Sequence, residues 1–115
     1  MATDYPKPDS LLVGPRGVGQ PFDAILYYTV SVTPASVGAA STAEQAVTVN
    51  GVLATDIVQL AGYPARTNST APVDCRVSAA NTVQVQYVNP TAGALTPPSG
   101  NYSFLVLRPS TNPSK

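Results

Sequence analysis

The chain has 115 residues, 43% of them hydrophobic and only 10% charged, and its six basic and six acidic groups cancel. That is material for one domain with one core. A neutral chain sets up no field that would draw it to nucleic acid or to an anionic membrane. It contains no histidine, no tryptophan and a single cysteine, which excludes a disulfide framework, a Cys/His zinc site and histidine-based acid–base catalysis.

Residues 1–22 contain Pro6, Pro8, Pro15 and Pro21 together with Gly14, Gly17 and Gly19. Proline fixes φ and glycine resists regular structure, so this stretch reads as an extended N-terminal arm with at most a short edge strand at Leu11–Val13. So many apolar residues would be wasteful in a solvated tail. Tyr5, Leu11, Leu12 and Val13 are therefore expected to anchor the arm on a neighbour, with Arg16 among the contact residues. The run Gly14-Pro15-Arg16-Gly17-Val18-Gly19 superficially resembles a phosphate loop. It neither follows a firm strand nor opens a helix, so it is read as part of the arm. The amino terminus lacks the basic start and apolar stretch of a signal peptide, and no apolar run approaches the roughly 20 residues of a membrane span.

From residue 23 strand-like runs recur with turn signals between them. Ala24–Val32 is rich in β-branched and aromatic residues, and both of its faces (Ile25, Tyr27, Thr29 and Leu26, Tyr28, Val30, Val32) are apolar, which predicts a central strand. A Ser/Ala/Gly loop is expected over Pro34–Thr42, then a strand at Ala46–Asn50 with Val47 and Val49 facing the core. Asn50-Gly51 marks a turn, and Ala54-Thr55-Asp56 leads into a strand at Ile57–Leu60. Ala61–Pro72 reads as a long loop. Its Tyr63 and Arg66 are candidate contacts, because tyrosine and arginine are enriched at binding hot spots. Arg76, on the next strand, is weighed in the same way.

Residues 73–88 form a predicted hairpin around an Ala79-Ala80-Asn81 corner, with Val83 and Val85 alternating against Gln84 and Gln86. Proline at position 90 ends it. Cys75 lies inside this pattern and reads as a small buried hydrophobe. After a Pro/Gly loop over Asn89–Gly100, Tyr102–Arg108 is predicted to be buried on both sides, with Tyr102, Phe104 and Val106 on one face and Leu105 and Leu107 on the other. Residues 109–115 read as a tail. The fold class is all-β: a β-sandwich or jelly-roll-like domain over 23–108, of six to eight short strands.

For chemistry the inventory is nearly empty. Asp4, Asp9, Asp23, Glu44, Asp56 and Asp74 are scattered with no close pair, and the serines have no base to activate them. The chain is therefore read as a non-enzyme without cofactor, metal or small-molecule substrate. Its surface, built largely from Thr, Ser, Asn, Gln, Ala and Pro, makes most sense if partner subunits cover much of it.

Three runs carry a resemblance: Val47–Val58 (VTVNGVLATDIV), Val77–Val85 (VSAANTVQV) and Val88–Leu95 (VNPTAGAL). In these, and over residues 45–108, the chain resembles small β-sandwich proteins encoded beside capsid genes in tailed bacteriophages, the head decoration or cement proteins. The resemblance implies a structural virion protein, made in the host bacterial cytoplasm, that binds the capsid exterior and locks neighbouring capsomers of the major capsid protein. It also implies a homotrimer. The competing expectation is a carbohydrate-binding or adhesin-type sandwich module of a phage tail or fibre, in which an exposed Tyr63, Tyr102 or Tyr5 would stack on sugar.

Overall fold

A computed structural model describes residues 21–110. Six strands follow one another in sequence: β1 (Phe22–Val32), β2 (Ser41–Thr48), β3 (Ile57–Gly62), β4 (Ala71–Ala79), β5 (Thr82–Asn89) and β6 (Gly100–Pro109). They form two three-stranded sheets, ordered β1-β6-β3 and β2-β5-β4, and every pairing is antiparallel. The result is an all-β, sandwich-like body.

The core lies where the inward sets of the two central strands meet. Val83, Val85 and Tyr87 of β5 and Tyr102, Phe104 and Val106 of β6 are all 0–1% exposed. These are the alternate residues that a period of two sends to one face, as the sequence predicts for β5. Val47 and Val49 join them, although Val49 lies just past the end of β2. The Tyr87 and Tyr102 rings meet edge to face, their centroids 6.4 Å apart. Burial first, and the neighbouring Tyr102 hydroxyl second, push the Tyr87 phenol well above its usual range, and its hydroxyl is buried with no hydrogen bond of good geometry among the described residues. The Tyr102 hydroxyl beside it donates instead to the Pro98 carbonyl, at 3.3 Å. An unmet buried hydroxyl costs stability, so Tyr87→Phe should be neutral or stabilising by up to about 1 kcal/mol. Urea unfolding of the two chains is the check, and a loss of stability would mean that the hydroxyl is in fact satisfied.

Polar side chains close the two ends of the body. At one end Asn89, 0% exposed, donates to Val37 O (3.0 Å) and Gly93 O (2.9 Å) while its Oδ1 accepts from Thr91 N. This pins loop 90–99 to loop 33–40, which also share the Val37–Leu95 bridge. At the other end Asn81 takes the left-handed conformation (φ 63°) that closes the β4–β5 hairpin, and its Oδ1 accepts from Gly51 N at 2.8 Å. Gly51 has φ 106°, and a Cβ there would lie 2.7 Å from the Tyr28 hydroxyl, so only glycine fits.

Several expectations need correction. The β2 strand starts at Ser41, inside the stretch read as loop, and stops at Thr48, before Asn50. The loop read as 61–72 shrinks to 63–70, because β3 and β4 both extend into it. More consequential, β1 is an edge strand among the described residues; β6 is the central one, between β1 and β3.

Candidate docking surface

The error over β1 exposes the surface of most interest. Leu26, Tyr28, Val30 and Val32 turn inward, which leaves Ile25 (44% exposed) and Tyr27 (66% exposed) on the outside of the sheet. Register then assembles two rows across that outer face. Ile25 lies opposite Leu107, and Leu107 opposite Ile57; Tyr27 lies opposite Leu105, and Leu105 opposite Gln59. Directly opposed residues sit within side-chain contact distance, so these rows form one patch. Leu105 and Leu107 are half-buried because their strand neighbours flank them, and no layer of the described residues lies above them. This corrects the expectation that β6 is buried on both sides.

The next row is polar: the Thr29 and Ser103 hydroxyls lie 3.3 Å apart. The apolar area is thus confined to the end of the sheet where β1 enters and β3 begins. Leu53, in the loop leading to β3, adds a further exposed apolar side chain. Isolated surface leucines are ordinary, whereas adjoining apolar rows on an outer sheet face make this face a candidate docking surface.

The outside of the other sheet differs. Glu44, Gln86 and Asp74 form one row, and Ala46, Gln84 and Arg76 the next. Arg76 reaches diagonally over β5 to make a two-point pair with Glu44, both contacts at 2.8 Å. That pair holds the Glu44 carboxyl below its usual range, but it is solvent-exposed and of little consequence for stability. Arg76 is therefore committed within the chain. The body is one-sided, with an apolar outer face on one sheet and a hydrated one on the other.

The residues singled out from sequence fare unevenly. Tyr5, Leu11, Leu12, Val13 and Arg16 lie outside the described residues. Tyr63 is 48% exposed and lines a cleft of about 310 Å³ between the edges of β3 and β4, with Val58, Leu60, Pro72, Val73 and Cys75. Arg66 is exposed on the same loop. That loop follows the far end of β3, whereas the chain enters at Pro21 beside the near end. Tyr63 and Arg66 are thus separated from the entry point by most of a strand's length, and neither belongs to the apolar rows. Ile25, Tyr27, Ile57, Leu105 and Leu107 were not singled out. Their signal was present in the two-faced apolarity of β1 and β6, which was read as double burial.

Cys75 is half-buried at the foot of the cleft. Its Sγ lies 3.9 Å from Val58 O. Burial first, and the Asp74 charge second, push the thiol above its usual range. It is a packed, protonated group that holds the β3 edge against β4. No cluster of three or more His, Cys, Asp or Glu side chains forms among the described residues. No family model, curated protein or solved structure matches the chain. The geometry by itself defines the class: a small two-sheet antiparallel body with one apolar outer face.

Proposed function

We propose that the chain is a structural component of a bacteriophage virion, a decoration or cement protein that binds the outside of the head and braces contacts between capsomers of the major capsid protein. The observation that carries this reading is the one-sidedness of the body. The rows Ile25–Leu107–Ile57 and Tyr27–Leu105–Gln59 supply the apolar core of an interface, and loop 49–56 and the Thr29–Ser103 row supply its polar rim. The Thr/Gln-rich face of the other sheet stays in water. In this reading three copies cluster about a local three-fold axis, and repetition over the shell lets each weak contact contribute to a firm attachment. The resemblance of residues 45–108 to phage cement proteins supports the same reading.

The test uses purified shells lacking the protein. The full-length chain should co-sediment with them in saturable, symmetric stoichiometry and raise their resistance to heat. Tyr27 and Leu105 are neighbours at the centre of the face, so the Tyr27→Lys, Leu105→Lys double variant should bind at least about 100-fold more weakly, the loss of two anchor residues worth roughly 1.4 kcal/mol each. Shells that neither take up the chain nor gain robustness would refute the reading. Undiminished binding of a folded double variant would move the contact to another face.

A further inference from the structure

An asparagine followed by glycine loses its side-chain amide more readily than one followed by other residues, because glycine has no side chain to shield its nitrogen or restrict its approach. Asn50 is the one asparagine of the chain that precedes glycine; the others precede Ser69, Thr82, Pro90, Tyr102 and Pro113. It is exposed, in the loop between β2 and β3. In the reaction the deprotonated Gly51 nitrogen attacks Cγ of Asn50. The N–Cγ bond forms, the Cγ–Nδ2 bond breaks and ammonia leaves, which gives a cyclic succinimide. Water then opens the ring at one carbonyl or the other, leaving aspartate or isoaspartate. Water is the only other reactant.

The fold holds Gly51 where that attack cannot start. Val52 N donates to Val49 O at 3.3 Å, closing a four-residue turn with Asn50 and Gly51 at its centre. Gly51 has φ 106°, whereas Asn50 does not take a positive φ. A positive φ at the third position alone is the type II pattern, in which the second residue has ψ of about +120°. By tetrahedral geometry at an L-residue, that ψ carries the next nitrogen to the Hα side of the Cα–C bond, about 120° away from Cβ. Ring closure needs the nitrogen beside Cβ, so the Asn50–Gly51 peptide must first rotate. The Asn81 side chain opposes this rotation: its Oδ1 accepts from Gly51 N at 2.8 Å, which also engages the proton that has to leave. Asn81 is in turn fixed by its own backbone, with its N donating to Val52 O at 2.7 Å and its O accepting from Val49 N at 2.9 Å. From the other side of Gly51, Arg108 donates to the Gly51 carbonyl at 2.9 Å.

We propose that Asn50 is a deamidation site gated by this turn: the Asn81 side chain and the type II geometry keep it unreacted in the folded chain, and local opening of loop 49–56 commits it to conversion. Conversion adds a negative charge to a chain whose charges otherwise cancel. Isoaspartate also routes the backbone through Cβ, one carbon longer, which spoils the register of the bonds from Val49, Val52 and Asn81. An opening of the loop is thereby recorded irreversibly in covalent structure. None of this depends on what the neighbouring apolar face docks against.

The full-length chain and a capped peptide of residues 46–55 are incubated side by side at mildly alkaline pH. Mass spectrometry follows the exchange of amide nitrogen for oxygen at Asn50, and chromatography separates aspartate from isoaspartate. The folded chain should convert at least about 10-fold more slowly than the peptide, since it reacts only from locally open states. Asn81→Gly removes the acceptor oxygen yet tolerates the left-handed φ of 63°. It should convert about 5-fold faster than the unaltered chain, the effect of losing one net hydrogen bond, while slow hydrogen exchange in β5 and β6 shows that it is folded. Asn81→Asp keeps an acceptor in place and should stay slow. Conversion of the folded chain at the peptide's rate would overturn the proposal, as would a folded Asn81→Gly that reacts no faster. A third arm needs no variant: in urea the unaltered chain should reach the peptide's rate, and a rate that stays low through unfolding would show that the turn is not the gate.

Discussion

Phe104→Ala should lower the free energy of unfolding by about 3–5 kcal/mol, the range for deleting a buried aromatic side chain. Phe104 is 0% exposed at the middle of β6, with Tyr28 opposite it on one side and Leu60 on the other. Close-packed neighbours on both sides cannot collapse into the space left behind, so the cavity adds to the lost transfer energy. A domain of this size is stable by only about 5–15 kcal/mol, so the variant would sit near the limit of folding at 37 °C. Urea unfolding followed by tyrosine fluorescence measures the change. Leu105→Ala provides the contrast, one residue further along the same strand but facing outward. It should cost no more than about 1 kcal/mol. Equal losses at the two positions would mean that the assigned inner and outer faces of β6 are wrong.

The second large effect centres on Asp56. Its side chain is fully buried, where its Oδ2 accepts from Leu53 N at 2.9 Å. The Arg108 guanidinium donates to both carboxylate oxygens, at 3.0 and 2.9 Å, and also reaches Gly51 O at 2.9 Å. One acid thus ties loop 49–56 to the last turns of β6. Hydrogen bonds to charged groups contribute about 1.5–3 kcal/mol, so Asp56→Ala should destabilise by about 2–3 kcal/mol and loosen the loop that borders the apolar face. The same pairing predicts a pH dependence. The Arg108 hydrogen bonds, opposed in part by burial, hold the Asp56 carboxyl below its ordinary value of 3.8. The folded state therefore binds this proton less readily than the unfolded state does. The stabilisation is complete well above pH 3.8 and is lost as pH falls below that value and through the depressed folded pKa. Stability measured against pH should show an acid limb that Asp56→Asn flattens. An unchanged limb would assign it to other carboxylates.

The strands of this protein are legible in the sequence wherever alternation is clean. Val83 and Val85 against Gln84 and Gln86 put β5 in place with its correct face inward, and the Asn81 corner and Pro90 mark its limits. The start of β2 was not legible, since Ser41-Thr42-Ala43 carries no β-branched apolar signal and becomes a strand only by pairing with β5. Hydrophobicity on both faces of a strand has two physical meanings, burial between layers and exposure toward a partner. Composition alone does not separate them. Register narrows them: Ile25, Leu107 and Ile57 fall in one row with no layer of the described residues above them, which is not burial between layers. Tyr63 and Arg66 were chosen for residue type alone. The fold places them in a different region, because the end of β3 on which they sit is set by chain direction, which no local pattern encodes.

The two sheets are joined unevenly. Along β3 and β4 the Cys75 sulfur reaches from one layer to the other, whereas beside β2 the Gln45 side chain holds the backbone of Ala35 in the loop that follows β1. A body built this way has a spine and a fore-edge, like a book. An opening about that spine would alter the curvature of the outer β1-β6-β3 face without breaking any strand pairing.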